Sequence, residues 1–179
     1  EGSGTAGILG SALTGTYGQL TLNSNGSYSY VANQSAANAL ASGESATDSF
    51  NYTISDGNAG TDTGVITITI YGVNDAPTAV DDTDSVDEDG TVTKTGSQND
   101  ALNDDTDPDT SDSLVVTHIQ PGSGSTSTVS SSSTYDSNGT SVTGTYGTLT
   151  IGADGSYTYT ADQSAADDLD AGDEVTDVF

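Results

Sequence analysis

The chain has 179 residues, 31% of them hydrophobic, and sets 27 acidic residues against one Lys (Lys94) and no Arg, for a formal charge of −26. So large a negative charge excludes nucleic acid and anionic membrane as partners, and the low apolar content leaves only a thin core of small side chains. Cysteine is absent, which excludes disulfides and thiolate metal sites, and no apolar run approaches the roughly 18 residues of a membrane span.

High charge with low hydrophobicity also suits a disordered chain. Nine Tyr and two Phe in alternating patterns, with Gly at turn-like positions, favour a folded chain, with cations as a candidate requirement for folding. In chain order, "YGQLTL" (17–22), "GSYSYVA" (26–32), "SFNYTIS" (49–55) and "GVITITIY" (64–71) alternate apolar and polar residues with period 2, the pattern of strands with one buried face. "NSNG" supplies the turn between the first two. "NQSAANALA" predicts one or two helical turns, with Asn33 or Ser35 placed to cap. The Asp-rich stretch follows: residues 76–113 hold 12 acidic residues in 38 positions, against three between Glu1 and Ser55. "SLVVTHIQ" reads as a strand carrying the single histidine, His118, and "SSSST" (130–134) as a polar loop.

From Gly144 the sequence returns to its start. "GTYGQLTLNSNGSYSYVANQSAANALASGESATDSF" (15–50) recurs as "GTYGTLTIGADGSYTYTADQSAADDLDAGDEVTDVF" (144–179), offset by 144 − 15 = 129 residues, with 20 of 36 positions identical. The unit is thus a tandem repeat of about 129 residues, within the usual range for a domain. If it opens near Ala76, residues 1–75 are the later part of one copy and 76–179 most of the next, lacking its last strands. Starting at Glu1, the sequence reads as an excerpt of a longer array, or of a fibre in which a neighbour supplies missing strands. Many short strands at even spacing predict an all-β fold of tandem antiparallel β-sandwiches. Tyr28, Tyr30, Tyr157 and Tyr159 are then packing groups more simply than a sugar-binding platform.

The clustering of carboxylates favours a local purpose over a uniformly solvated acidic surface. Ca²⁺ takes six to eight oxygens at about 2.3–2.6 Å, and short acidic side chains in loops suit it. "DDTDPD" (104–109) alternates carboxylates so that several can converge from one loop, although the Gly and terminal Glu of an EF-hand are missing.

Here the residues resemble a known family. "VDEDGTVTKTGSQNDALNDDTDPDTSDSLVV" and "YTISDGNAGTDTGVITITIYGVNDAP" resemble the cadherin-like repeat, and the duplicated "GTYGTLTIGADGSYTYTADQSAADDLDAGDEVTDVF" block is similar to the VCBS repeat of large RTX-type bacterial surface adhesins. The resemblance implies an Ig-like sandwich and calcium between consecutive domains. It assigns the linker ligands to Asn74 and Asp75, the DxD pair to Asp107 and Asp109, and an assisting role to Asp105. Glu88 matches the Glu after the first strand, Asp56 the late-strand Asp, and Asp170 with Glu174 an acidic pair after "SAADDL". The linker "GVNDAP" departs from the pattern, with Gly72 where cadherins usually carry an Asp, so a full three-calcium cluster is not implied.

The implied function is a calcium-rigidified spacer in an extracellular bacterial adhesin or surface fibre, serving adhesion or biofilm. Its partners would be neighbouring repeats or identical chains, with surface or matrix glycans as candidates and neither nucleic acid nor membrane insertion. The alternatives are a self-assembling filament with strand exchange between neighbours, and a carbohydrate-binding module. An enzyme is not expected. The acidic residues crowd turn-like stretches, and neither a carboxylate pair for glycoside hydrolysis nor a Ser-His-Asp constellation is supported.

Overall fold

The computed structural model describes residues 6–96 and 99–179. They form antiparallel sheets with two single-turn helices, divided into two compact units: Glu1–Ala76 with Asp107–Asp112, and Pro77–Thr106 with Ser113–Phe179. The short acidic segment 107–112 thus belongs with the first unit, although it lies in sequence inside the second.

In the first unit, β1 (Ala12–Thr14), β2 (Gln19–Leu22) and β3 (Tyr28–Val31) form a meander in that order. Its second turn is built by Asn25, whose Oδ1 accepts from the Ser27 backbone N–H at 3.0 Å and the Ser27 hydroxyl at 2.7 Å, while Gly26 takes φ 84°. α1 (Ser35–Asn38) follows. Its N-cap is Gln34, with no side-chain hydrogen bond to the helix start, so neither Asn33 nor Ser35 caps it. A single turn leaves almost every N–H at its end open to other partners, and capping decides little there.

β4 (Ser45–Ser55) and β5 (Thr61–Tyr71) form an eleven-residue hairpin in register from Ser45↔Tyr71 to Ser55↔Thr61. Each strand runs beyond its predicted start, because Thr-rich flanks favour extended backbone and the ladder continues through them. The hairpin packs on the meander: the Phe50 ring meets Tyr30 edge-on at 6.3 Å, and Leu20, Phe50 and Ile70 are buried.

The second unit holds β6 (Thr91–Lys94), β7 (His118–Ile119), β8 (Ser127–Thr128), β9 (Thr140–Thr143), β10 (Thr148–Ile151), β11 (Tyr157–Thr160) and α2 (Ser164–Asp167). β9, β10 and β11 repeat the meander of the first unit, and β6 adds to its edge to give the order β6-β11-β10-β9. "SLVVTHIQ" contributes only the two-residue β7, paired with β8. The core is Val129, Val142, Leu149, Ile151, Ala153 and Tyr157, with Val116, Ile119, Tyr159 and Phe179 against it.

One predicted packing group behaves differently. Tyr28 is 53% exposed whereas its repeat-mate Tyr157 is 9% exposed. β11 is covered by β6, but among the described residues no strand pairs with the equivalent edge of β3.

Candidate functional site

The segment Asp107–Asp112 is held to the first unit by side-chain chemistry. Asp109 is 1% exposed. Its Oδ2 accepts the backbone N–H of Asp75 at 2.8 Å, and its own N–H donates to Asp107 Oδ1 at 2.9 Å. Thr110 adds a hydroxyl donated to the Ala39 carbonyl at 3.3 Å, and Asn74 donates its carboxamide to the Asp75 carbonyl. The remaining carboxylate oxygen, Asp109 Oδ1, is buried without a hydrogen-bond partner. An ionised oxygen in that position is costly unless a positive charge or a donor reaches it.

Hydrogen bonds thus link the backbone of Asp75 to the side chain of Asp109 and the backbone of Asp109 to the side chain of Asp107, with Asn74 next in sequence, and the oxygens there are of the kind a hard cation takes. No three acidic or imidazole side chains among the described residues converge as a preformed metal cluster, so backbone carbonyls and water would have to complete the shell.

The other sequence-derived candidates have different settings. Asp56 sits at the tip of the β4–β5 hairpin, about 30 Å of strand rise from Asn74. Its Oδ1 accepts the N–H groups of Asn58 at 2.7 Å and Gly60 at 3.0 Å. Asp105 belongs to the second unit, where its Oδ1 takes the Val80 N–H at 2.8 Å beside the Thr78↔Thr106 bridge. Glu88 is exposed in the turn before β6. Asp170 and Glu174 are exposed beyond α2, and the Asp170 N–H donates to Asp173 Oδ2 at 3.1 Å.

Two carboxylates absent from the sequence-based set make the most connected polar arrangements. Asp48, on β4, accepts the backbone N–H groups of Thr16, Tyr17 and Gly18 at 2.9–3.1 Å and the Tyr30 hydroxyl at 2.7 Å. Asp177 repeats this in the second unit with Thr145, Tyr146, Gly147 and the Tyr159 hydroxyl at 2.7–3.0 Å. Burial alone would raise the Asp48 carboxyl, but the Tyr30 hydroxyl and three N–H donors outweigh it and hold it below its ordinary value. For Asp177 burial is likewise outweighed, by Thr145, Tyr146, Tyr159 and Gly147. Burial and the adjacent carboxylates push the Tyr30 and Tyr159 hydroxyls upward.

These clasps explain both glycines of the repeated "GTYG". A Cβ at Gly15 would lie 2.4 Å from Asp48 Oδ2, and one at Gly18 would lie 2.3 Å from the Val31 carbonyl oxygen. Gly144 and Gly147 meet the same obstacles, at 2.4 Å from Asp177 Oδ2 and 2.4 Å from the Thr160 oxygen. The signal was present in the sequence as the duplicated "TD·F" next to the duplicated "GTYG", but periodicity alone does not say that the two stretches meet.

A third acidic group surrounds Lys94, which pairs with Asp84 at 2.6 Å while Asp84 also accepts the Tyr157 hydroxyl. Partial desolvation, followed by the charges of Asp104, Asp105, Asp84 and Asp100, raises the Asp82 carboxyl.

Residues 2–72 match the family model of the bacterial cadherin-like domain. Over 71 residues the chain is 42% identical to the calcium-binding lectin RapA2 of Rhizobium johnstonii, an alignment covering 39% of this chain and 30% of that protein. No helix among the described residues is long and apolar enough to cross a membrane. The resemblance read from the residues thus holds over residues 2–72, which are similar to a bacterial cadherin-like domain, in a chain whose fold is all-β.

Proposed function

We propose that this chain is a calcium-stiffened structural segment of a secreted bacterial surface adhesin or fibre, a spacer with no enzymatic role. The observation that carries this reading is Asp109: a carboxylate 1% exposed, with one oxygen on the Asp75 N–H and the other unpartnered. Calcium at that oxygen would cancel repulsion between Asp75, Asp107 and Asp109 and fix the Asn74–Asp75 stretch, turning a flexible segment into a rigid one. The similarity to a calcium-binding lectin and to a cadherin-like domain supports the choice of ion and an extracellular setting. With extracellular-type affinity, about 10⁻⁴–10⁻³ M, the site fills outside a cell and empties in cytosol.

A thermal melt followed by circular dichroism tests this, run in millimolar calcium, in chelator, and in matched sodium or magnesium. A midpoint rise specific to calcium supports the reading. Equal rescue by every salt would mean that the carboxylates only need screening, and the ion assignment would then fall.

A further inference from the structure

We propose that Asn138 is a site of spontaneous deamidation, at which the backbone nitrogen of Gly139 displaces the side-chain amide nitrogen and leaves an aspartyl or isoaspartyl residue just before β9. The residues involved are separate from those of the calcium reading.

The chain contains two Asn-Gly pairs, Asn25-Gly26 and Asn138-Gly139. Glycine after asparagine favours ring closure, because with no Cβ its nitrogen approaches the carboxamide carbon unhindered. Sequence alone treats the two pairs alike; the fold separates them. At the first, both reacting groups are held. Asn25 Oδ1 accepts the Ser27 N–H at 3.0 Å and the Ser27 hydroxyl at 2.7 Å, while the Gly26 N–H donates to the Asn23 carbonyl at 3.0 Å. At the second, Asn138 is exposed, and among the described residues neither its carboxamide nor the Gly139 N–H has a hydrogen-bond partner in the protein. Asn138 also sits at φ 57°, a region that residues with a side chain occupy sparingly, so leaving it costs the segment little.

The reaction consumes only water. The Gly139 nitrogen gives its proton to solvent and bonds to Asn138 Cγ; the bond from Cγ to the carboxamide nitrogen breaks, and that nitrogen takes up a proton and leaves as ammonia. Water then opens the cyclic imide. Attack at Cγ restores the main chain with Asp in place, whereas attack at the Asn138 backbone carbonyl routes the chain through Cγ and lengthens it by a methylene. The lengthened product does not fit the closed segment. Even a Cβ on Gly139 would lie 2.7 Å from the Tyr135 oxygen and 2.8 Å from the Thr150 methyl. The turn before it is closed by Thr134 and Ser137, whose N–H groups donate to each other's carbonyls at 3.0 and 3.2 Å. Either product also adds a negative charge to a chain whose net charge is −26.

The test incubates the full chain in mildly alkaline buffer, folded and in concentrated urea, then digests it for mass spectrometry with chromatographic separation of isoaspartyl from aspartyl peptides. In the folded chain the mass gain of OH replacing NH₂ is expected at least about tenfold faster at Asn138 than at Asn25, where ring closure must first break the turn's hydrogen bonds. In urea the ratio should fall below about threefold, because both pairs are then unstructured. Amides of Thr134 and Ser137 should exchange at least about tenfold faster in the aged folded chain than in the fresh one. Asn25 reacting as fast as Asn138 in the folded chain, Asn138 unchanged there while the unfolded chain reacts, or the same ratio with and without urea would each overturn the proposal. An Asn138→Gln chain, whose longer side chain closes a ring far more slowly, should keep its fresh exchange pattern through the incubation. Equal loss of protection in that variant would overturn the assignment of the opening to Asn138.

Discussion

Removing the Asp48 carboxylate, by Asp48→Ala, should open the first unit at the joint between hairpin and meander. Asp48 is 4% exposed and accepts four hydrogen bonds from Thr16, Tyr17, Gly18 and Tyr30. Hydrogen bonds to a charged acceptor contribute about 1.5–3 kcal/mol each, but they share one carboxylate and do not add. Thr16 is exposed, so its N–H regains water at little cost. The Gly18 N–H is buried and loses its partner outright, and the Tyr30 hydroxyl is half-buried beside Phe50. The net loss expected is about 3–5 kcal/mol, with Asp48→Asn intermediate at about 1–3 kcal/mol because its one oxygen still accepts while its NH₂ faces donors. For a unit of this size that lowers the melting midpoint by more than about 10 °C. Because two units are present, the melt is followed through separate probes for each, such as residue-resolved amide signals, so that one loss is not averaged over two transitions. A midpoint shift for the first unit below about 2 °C would refute the assignment of Asp48 as its clasp.

The clasp also sets a pH dependence. The folded-state values of Asp48 and Asp177 are depressed, so their contribution is complete above the ordinary Asp value near pH 4 and is lost as pH falls below it; acid unfolding monitored by circular dichroism should shift to higher pH in Asp48→Asn. The Tyr30, Tyr157 and Tyr159 hydroxyls are raised instead, so their contribution is complete below about pH 10 and is lost as pH rises through the higher folded values. Gly18→Ala drives a methyl into the Val31 carbonyl and should cost about 2–4 kcal/mol in urea unfolding, whereas Gly57→Ala at the open hairpin tip meets no atom and should cost about 1 kcal/mol from its positive φ. Lys94→Met removes the cation from Asp84, and should destabilise the second unit by about 1–2 kcal/mol while leaving the first unchanged.

Much of the fold was legible because alternation and duplication are direct consequences of its physics. Period-2 runs at 17–22 and 26–32 contain β2 and β3, those at 49–55 and 64–71 lie within β4 and β5, and the offset of 129 residues aligns the meander β1-β2-β3 with β9-β10-β11. The Asn25-for-Asp154 exchange shows why charge at some repeat positions is dispensable: in both copies the side-chain Oδ1 accepts from the residue two places on, Ser27 or Ser156, and only the acceptor matters. Sequence spacing could not place the segment 107–112 with the first unit, since that depends on Asp109 reaching the Asp75 N–H across 34 residues. Nor could it separate the roles of Asp56 and Asp109. Both are carboxylates near turns, yet one is a solvent-facing acceptor closing a hairpin and the other is buried with an oxygen to spare. Asp48, on β4, and Asp177, in the segment after α2, were hidden for the same reason, because an Asp in an alternating stretch reads as an ordinary outward-facing residue until its neighbours are known.

Isothermal titration of calcium into the full chain and its Asp109→Ala variant asks whether Asp109 and its neighbours bind the ion. Saturable binding is expected with a dissociation constant of about 10⁻⁴–10⁻³ M in the parent chain, little affected by magnesium, with loss of at least one binding event in Asp109→Ala. Absence of saturable heat through several times that concentration, or an unchanged isotherm in the variant, would contradict it.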